Sequence, residues 1–459
     1  MHFRSIAVAF LGLSLACWAP FAAATPEAKV APDAAKLVAW LRPRLPPGGV
    51  VAASPHKGRP EVLHVAHRGD TVDTIAASYL DLTDVYLAAD LASLIAHENG
   101  TKHGPLAEGA RLTIPRLVAR PYETGDKARL PAGDLATTRG LYVRGSTAGA
   151  PQFITMLDRM ADRGIEQIVL DAKDYDGLVT YPSRVQLAND AGAVQHHPPI
   201  ANLARTIRFA HSKGIRVAVR VSCFEDELMA KARPALSVQS KAKRAYPIGW
   251  LEPSNPEVHA YIIELVREAL DAGADEIQLD YVRYPVLGIK NADFHLAERG
   301  LTKPIVIRDF VRKVHAVTHA RKVPLTLDVF GVISLGKRAD IDSLGQDPNM
   351  LARECEVLAP MVYPSHFAPG FYGWEEPGSH PEIVGIATKA TLAQIDSIKG
   401  PRAVIRPWLQ AMGWKSPGYS PGYLATEVKK AHEAGGSGWL MWNPGQDYGY
   451  AWMVVKKRD

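Results

Sequence analysis

Asp275-Glu-Ile-Gln-Leu-Asp280-Tyr-Val-Arg283-Tyr-Pro285 decides the fold: a short apolar strand runs into an acid, an aromatic ring and a guanidinium before proline stops it. Successive strand side chains point to opposite faces, so Ile277 and Leu279 face one side of a sheet while Gln278 and Asp280 face the other. A carboxylate aimed into a core needs a reason. As a helix cap or a partner of Arg283 it would be structural; as one of a row of polar strand ends it would mark a site.

The row exists. Before the opening stretch come strand candidates Gly140 to Gly145, Ile165 to Asp174 and Ile215 to Phe224; after it come Val323 to Gly331, Val357 to Ser365, Ala403 to Gln410 and Gly438 to Asn443. The intervening helical stretches are Gln152 to Arg163, Pro199 to Lys213, Pro256 to Ala272, Ile305 to Ala320, Pro348 to Glu354, Leu392 to Ile398 and Ala425 to Ala434. Most carry apolar residues at helical spacing, as Val258, Ile262, Leu265, Val266 and Ala269 do. Gly164, Gly214 and Gly273 stand where left-handed helix ends are needed. Eight βα units predict an α/β fold, a (β/α)8 TIM barrel. An open doubly wound sheet is the alternative, but no Gly-rich phosphate loop follows any strand.

In such a barrel the residues closing each strand line the active site. They are Arg144; Asp171, Lys173 and Asp174; Arg220 and Ser222, with Glu225 and Asp226 just beyond; Asp280 and Arg283; Asp328; Tyr363, Ser365 and His366; Arg406, Trp408 and Gln410; Trp442 and Asn443. Carboxylates and guanidinium groups match sugar hydroxyls, and Trp and Tyr rings match sugar C–H faces. The expected substrate-binding set is Asp171, Lys173, Asp174, Arg220, Asp226, Arg283, Tyr363, His366, Arg406, Trp408, Gln410 and Trp442.

Seven motifs in order, Asp171 to Ser183, Phe224-Glu-Asp226, Asp280-Tyr-Val-Arg-Tyr-Pro285, Asp328-Val-Phe-Gly331, Gly345-Gln346, Pro360 to His366 and Arg406-Pro-Trp-Leu-Gln410, resemble a bacterial family of glycoside-hydrolase-type (β/α)8 barrels long classed as a domain of unknown function. The resemblance runs from about Thr138 to the C-terminus and implies that fold and a glycan-cleaving activity. Two departures are Glu252, where the family tends to carry Asp, and Glu225, where Lys is usual.

Glycosidic cleavage generally needs two carboxyl groups. Asp280 and Asp328 are the expected pair, since they close consecutive strands, which lie about 4.8 Å apart. Side chains there reach the roughly 5 to 5.5 Å of a retaining mechanism more readily than the roughly 6.5 to 9.5 Å of an inverting one. Asp280, beside Arg283, would stay ionised as nucleophile; Asp328, between Leu327 and Val329, would be the desolvated acid/base. Asp171 and Asp174 compete for either role. Tyr363 and His366 would bind substrate or orient a carboxylate.

The N-terminus carries an expected signal peptide over residues 1–24: Arg4, the apolar run Ile6 to Ala16, and Ala22-Ala-Ala24 before Thr25. Cys17 raises a lipoprotein reading that Ser14 opposes. No later stretch has 18 uninterrupted apolar residues, so no transmembrane segment is expected, and the protein would be secreted or periplasmic. Residues 25–60 read as an Ala/Pro-rich linker with one short helix, Asp33 to Leu41, and 118–137 as a second linker before the barrel at 138–459. Over 61–117, His64 to Tyr79, Glu98-Asn99-Gly100 and Leu106 to Pro115 resemble the LysM peptidoglycan-binding module, whose middle, Asp81 to Ala96, is longer than usual here.

The 459 residues, 47% hydrophobic and 22% charged, suffice for one large core and one small one. A net charge of +5 is slight, and Lys241 to Arg244 reads as a solvated loop, so no nucleic acid partner is expected; polysaccharide or peptidoglycan glycan is. Cys223 and Cys355 fall at opposite ends of their strands, beyond the roughly 4.4 to 6.8 Å Cα spacing of a disulfide. His196-His197 lacks carboxylate or thiol partners at ligand spacing, so no metal is expected, and no motif asks for a cofactor. Two functions remain: a glycosidase acting on a cell-wall or exopolysaccharide glycan, and a non-catalytic glycan-binding barrel.

Overall fold

The computed structural model describes residues 32–52, 59–241, 249–286, 289–290, 292–294, 296–436 and 438–456. The expected signal peptide lies outside them, as does most of the Lys241 to Arg244 cluster.

From Arg139 onward the chain is a closed parallel barrel. Its strands are β1 Arg139–Val143, β2 Gln167–Lys173, β3 Arg216–Ser222, β4 Glu276–Asp280, β5 Leu325–Phe330, β6 Val357–Met361, β7 Val404–Ile405 resumed at Trp408–Gln410, and β8 Trp439–Trp442. Each pairs with the next, and β8 closes on β1 through Trp439 opposite Arg139. Pro407 interrupts β7 because it has no N–H to give, yet its carbonyl still accepts from Leu440 N at 3.0 Å, so the ladder survives the break.

Helices α1 Gln152–Arg163, α2 Leu203–Ser212, α3 Pro256–Asp271, α4 Lys303–Ala320, α5 Pro348–Leu351, α6 Ile383–Ile395, α7 Pro421–Glu433 and α8 Gly449–Val454 wrap the cylinder. Gly164 ends α1 at φ +63°, and Gly214 and Gly273 take φ +73° and +98° before β3 and β4. Ile277 and Leu279 pack outward with Ile262, Leu265 and Val266 of α3, while Tyr142, Val169, Ala218, Ala359, Tyr363, Trp408 and Leu440 fill the inside. The expected helix Leu392 to Ile398 is in fact α6, which begins nine residues earlier at Ile383. Its buried Thr388 and Thr391 obscured the apolar stripe, Thr391 Oγ1 being satisfied by Ala387 O and Ser334 Oγ at 2.9 Å each.

The segment expected as a first linker is partly structured. Helix Pro32–Leu41 buries Leu37 and Leu41, and Gly49–Val51 pairs antiparallel with Val62–Val65. That strand pairs in turn with Arg111–Thr113, and helices Val72–Tyr79 and Ala88–Glu98 lie between them in sequence. The longer middle of this small unit fastens it to the barrel: Tyr86 OH donates to Ala148 O at 2.6 Å and stacks on Phe209 of α2 at 4.3 Å, Arg205 donates to Tyr86 O at 2.6 Å, and Asn202 donates to Asp81 at 3.0 Å. The second expected linker also packs, with Arg129 donating to Ala274 O and Arg321 O at 2.9 Å each. No helix among the described residues is long and apolar enough to cross a membrane. Cys223 and Cys355 are buried free thiols.

Closure depends on Gly438, at φ +66°, where an added Cβ would stand 1.9 Å from Thr138 O. Gly438→Ala is expected to lower unfolding free energy by about 2–3 kcal/mol in a urea titration, because both the dihedral and the clash oppose it.

Candidate active site

Inward residues of β4 form three tiers, and each recruits partners from neighbouring strands. In the lowest, Glu276 accepts from Thr326 Oγ1 at 2.7 Å and from Arg406 at 2.5 Å. In the middle, Gln278 Nε2 and Trp408 Nε1 both donate to Asp328 Oδ1 at 2.6 Å. In the upper tier, Asp280 Oδ2 accepts from Arg220 Nη2 at 2.7 Å and Nε at 3.1 Å, and its Oδ1 accepts from Tyr281 N at 2.6 Å. Tyr281 stands at φ +49°, a left-handed conformation unusual for an aromatic residue and placed where the strand turns into the site.

Arg220 joins the acids. Besides Asp280, it donates to Asp171, which also accepts from Tyr142 OH, and its Nε lies 3.9 Å from Asp328 Oδ2. The Oδ2 atoms of Asp280 and Asp328 therefore share one nitrogen neighbour, at 3.1 and 3.9 Å, and their separation falls well under 10 Å. Asp328 Oδ2 is buried with no hydrogen-bond partner. Burial, then the charge of Asp280, holds the Asp328 carboxyl well above the usual aspartate range. Burial likewise pushes Asp171 up, to about 6, against the pull of Arg220.

Above the upper tier opens a cavity of about 740 Å³. Asp280, Arg220 and Tyr142 form its floor with Trp408; Tyr363, Trp442 and His366 line one wall; Phe330 ends β5, and Phe367 and Phe371 belong to the loops above. The rings of Tyr363 and Trp442 lie 5.1 Å apart, and His366 lies 5.3 Å from the half-exposed Trp414. Burial, then Lys415, lowers the His366 pKa. Arg283 also lines the cavity, and Gln346 ties the ends of β4 and β5 by donating to Val282 O and Asp328 O while accepting from Phe330 N.

Several expected site residues sit elsewhere. Asp280 pairs with Arg220, not Arg283, whose guanidinium lies 4.8 Å from the rings of Trp250 and Phe330. Lys173 and Asp226 form a sealed pair at 3.0 Å outside the cavity, because the register shift between Asp171 and Lys173 breaks the alternation that would have aimed both residues inward. Asp174 is half-buried at the rim and bonds its neighbour Tyr175 N. Arg406 is fully buried in the lowest tier. Gln410 organises loops, donating to Met412 O, Trp414 O and Ser416 Oγ and accepting from Ser365 N. Asp328 lies beneath the cavity floor, adjoining Asp280. Tyr142, Phe330, Phe367 and Phe371 were missed. Alternation from Gly140 points to Tyr142, and Phe330 lies in the Asp328 to Gly331 motif, whereas Phe367 and Phe371 carry no sequence signal.

A parallel barrel with an acid-and-aromatic cavity at the carboxyl ends of its strands defines the class. The chain belongs to the family described as "Putative glycosyl hydrolase domain", which it matches over residues 140–448. Among solved structures it is similar to a hypothetical protein from Ruminiclostridium thermocellum (30% identity, TM-score 0.37, 41% of this chain and 97% of that one). It is also similar to the spore cortex-lytic enzyme SleL of Bacillus megaterium (13%, TM-score 0.40, 86% and 85%) and to an alpha-galactosidase from Thermus thermophilus (16%, TM-score 0.44, 69% and 60%). No curated protein matches it.

The raised acids have a consequence for stability. Each holds its proton more tightly in the folded chain than in the unfolded one, so stability they confer is present below about pH 4 and is lost as pH rises, through about 6 for Asp171 and in the same direction for Asp328. Asp328→Asn keeps an acceptor for Trp408 and Gln278 but has no proton to lose. In thermal denaturation the wild-type Tm is expected to fall relative to that of the variant as pH rises above about 4. A constant difference would show that Asp328 ionises normally.

Proposed function

We propose that the protein is a glycoside hydrolase of the cell envelope, secreted or periplasmic, cleaving a cell-wall or exopolysaccharide glycan. What carries this reading is Asp280, braced by Arg220 on the cavity floor and adjoining the proton-holding Asp328. Asp280 attacks the anomeric carbon while Asp328 protonates the departing glycosidic oxygen, which requires the sugar to seat deeply against Trp408 and Tyr363. Water, deprotonated by Asp328, then releases the sugar from Asp280 and restores both groups, with retention at the anomeric centre. Asp171 is the competing acid, since burial raises it too.

The small N-terminal unit docks on the first turns of α2, which follow a loop from the end of the cylinder that holds the cavity. In this reading it is a LysM-like module that keeps the barrel near its polymer. The alternative, a glycan-binding barrel without turnover, draws on one observation: Asp328 is 1% exposed and sealed below the floor.

Incubation with peptidoglycan and a panel of exopolysaccharides separates the two. New reducing ends are expected from the wild type, and binding to any of them without cleavage would favour the alternative. On a cleaved substrate, Asp280→Ala is expected to lose about 10³-fold or more in kcat, and added azide is expected to restore turnover as a glycosyl azide. Full activity in that variant would remove Asp280 from the chemistry.

A further inference from the structure

At the opposite end of the barrel, three side chains outside the proposed chemistry converge. His315 and His319 lie four residues apart in the last turns of α4, and Glu356 immediately precedes β6. That spacing sets both imidazoles on one helix face. One donor atom from each of the three residues falls within 4.8 Å of the others.

Glu356 is held in place independently of the histidines. Its N–H donates to Leu325 O at 3.0 Å, its carbonyl accepts from Val404 N at 3.0 Å, and its Oε2 accepts from Leu325 N at 2.8 Å. Oε1 is thereby turned toward His315 Nε2, 2.9 Å away. The two rings lie 5.3 Å apart, and His319 is exposed.

From this geometry we propose a binding site for one divalent transition ion of the zinc, nickel or copper class, with His315, His319 and Glu356 as ligands and water in the remaining position. Imidazole and carboxylate donors suit these metals, and tetrahedral bonds of roughly 2.0–2.2 Å bring ligand atoms about 3.3–3.5 Å apart. The exposed His319 ring makes the small inward turn this requires, while Glu356 and His315 already stand within that distance of each other. The ion replaces the hydrogen bond between them, taking an electron pair from each donor as any proton between them leaves to solvent. It joins the end of α4 to the start of β6, next to β5, and so staples the closed end of the cylinder. The expectation of no metal rests on the His196-His197 pair alone; this trio is assembled by the fold, its last member lying 37 positions beyond its second.

Titration of the untagged full-length chain with Zn²⁺ alone, by calorimetry and thermal denaturation, tests the assignment. One ion per chain and a rise in Tm of several degrees are expected. His319→Ala, at an exposed position, is expected to weaken uptake by at least about 10- to 100-fold and to abolish the rise in Tm, and Glu356→Gln to weaken uptake as well. The double variant His196→Ala/His197→Ala should behave as wild type. Equal uptake by wild type and His319→Ala, loss of uptake in the His196/His197 variant, or no saturable uptake in the micromolar range would overturn the site.

Discussion

One guanidinium serves three buried carboxyl groups, and the upper half of the barrel is organised by that shortage. Arg220 contacts Asp171 and Asp280 and lies 3.9 Å from Asp328, all of them buried. Full ionisation would leave an excess of negative charge where a lone charge costs several kcal/mol, so protons stay on the acids with the least charge compensation. Asp328 is buried, receives only neutral donors, from Gln278 and Trp408, and keeps one oxygen unbonded, which is why it is held well above its ordinary range. Asp280 takes two guanidinium bonds and a backbone N–H. The charge scarcity thus separates similar residues into one braced by a guanidinium, Asp280, and one braced only by neutral donors, Asp328.

The rest of the barrel maintains this arrangement at a distance. The sealed pair Lys173 and Asp226 anchors the loop after β3, where Asp226 Oδ1 caps the following helix through Met229 N at 2.8 Å. Glu268 of α3 gathers Tyr181 OH, Ser183 Oγ and Arg184 N, fixing the loop after β2. Gln410 and Gln346 do the same for the later loops. Each is a buried or, for Glu268, largely buried polar group that would be costly without its partners, so the loop positions are specified rather than merely permitted.

The legible part of the molecule was what alternation and spacing encode. Gln278 and Asp280 face inward and Ile277 and Leu279 outward because β4 is regular, and α1 runs from Gln152 to Arg163 because its apolar stripe and Gly164 are unambiguous. What failed was non-local. Lys173 left the cavity through a bulge that its sequence does not announce, and Arg406, although inward, lies two tiers too deep because strand stagger sets depth. Sequence proximity offers Asp280 the guanidinium of Arg283, three positions away, whereas pairing across strands supplies Arg220, 60 positions away. Sequence shows which face a side chain takes; its height in the barrel comes from register.

That distinction bears on the small N-terminal unit. Its departure from the LysM pattern lies in the stretch that holds Asp81, Val85 and Tyr86, and these residues grip Asn202, Arg205 and Phe209. The extra length is therefore accounted for by docking to α2. A unit tethered by a flexible segment would raise the local concentration of polymer without orienting it. One bonded to the first turns of α2 through Asn202, Arg205 and Phe209 is instead held in one orientation to the barrel. The stretch from Asp81 to Tyr86 thus serves docking, while His64 to Tyr79 and Leu106 to Pro115 supply core residues of the unit itself, among them Val72, Ile75, Tyr79, Leu112 and Ile114.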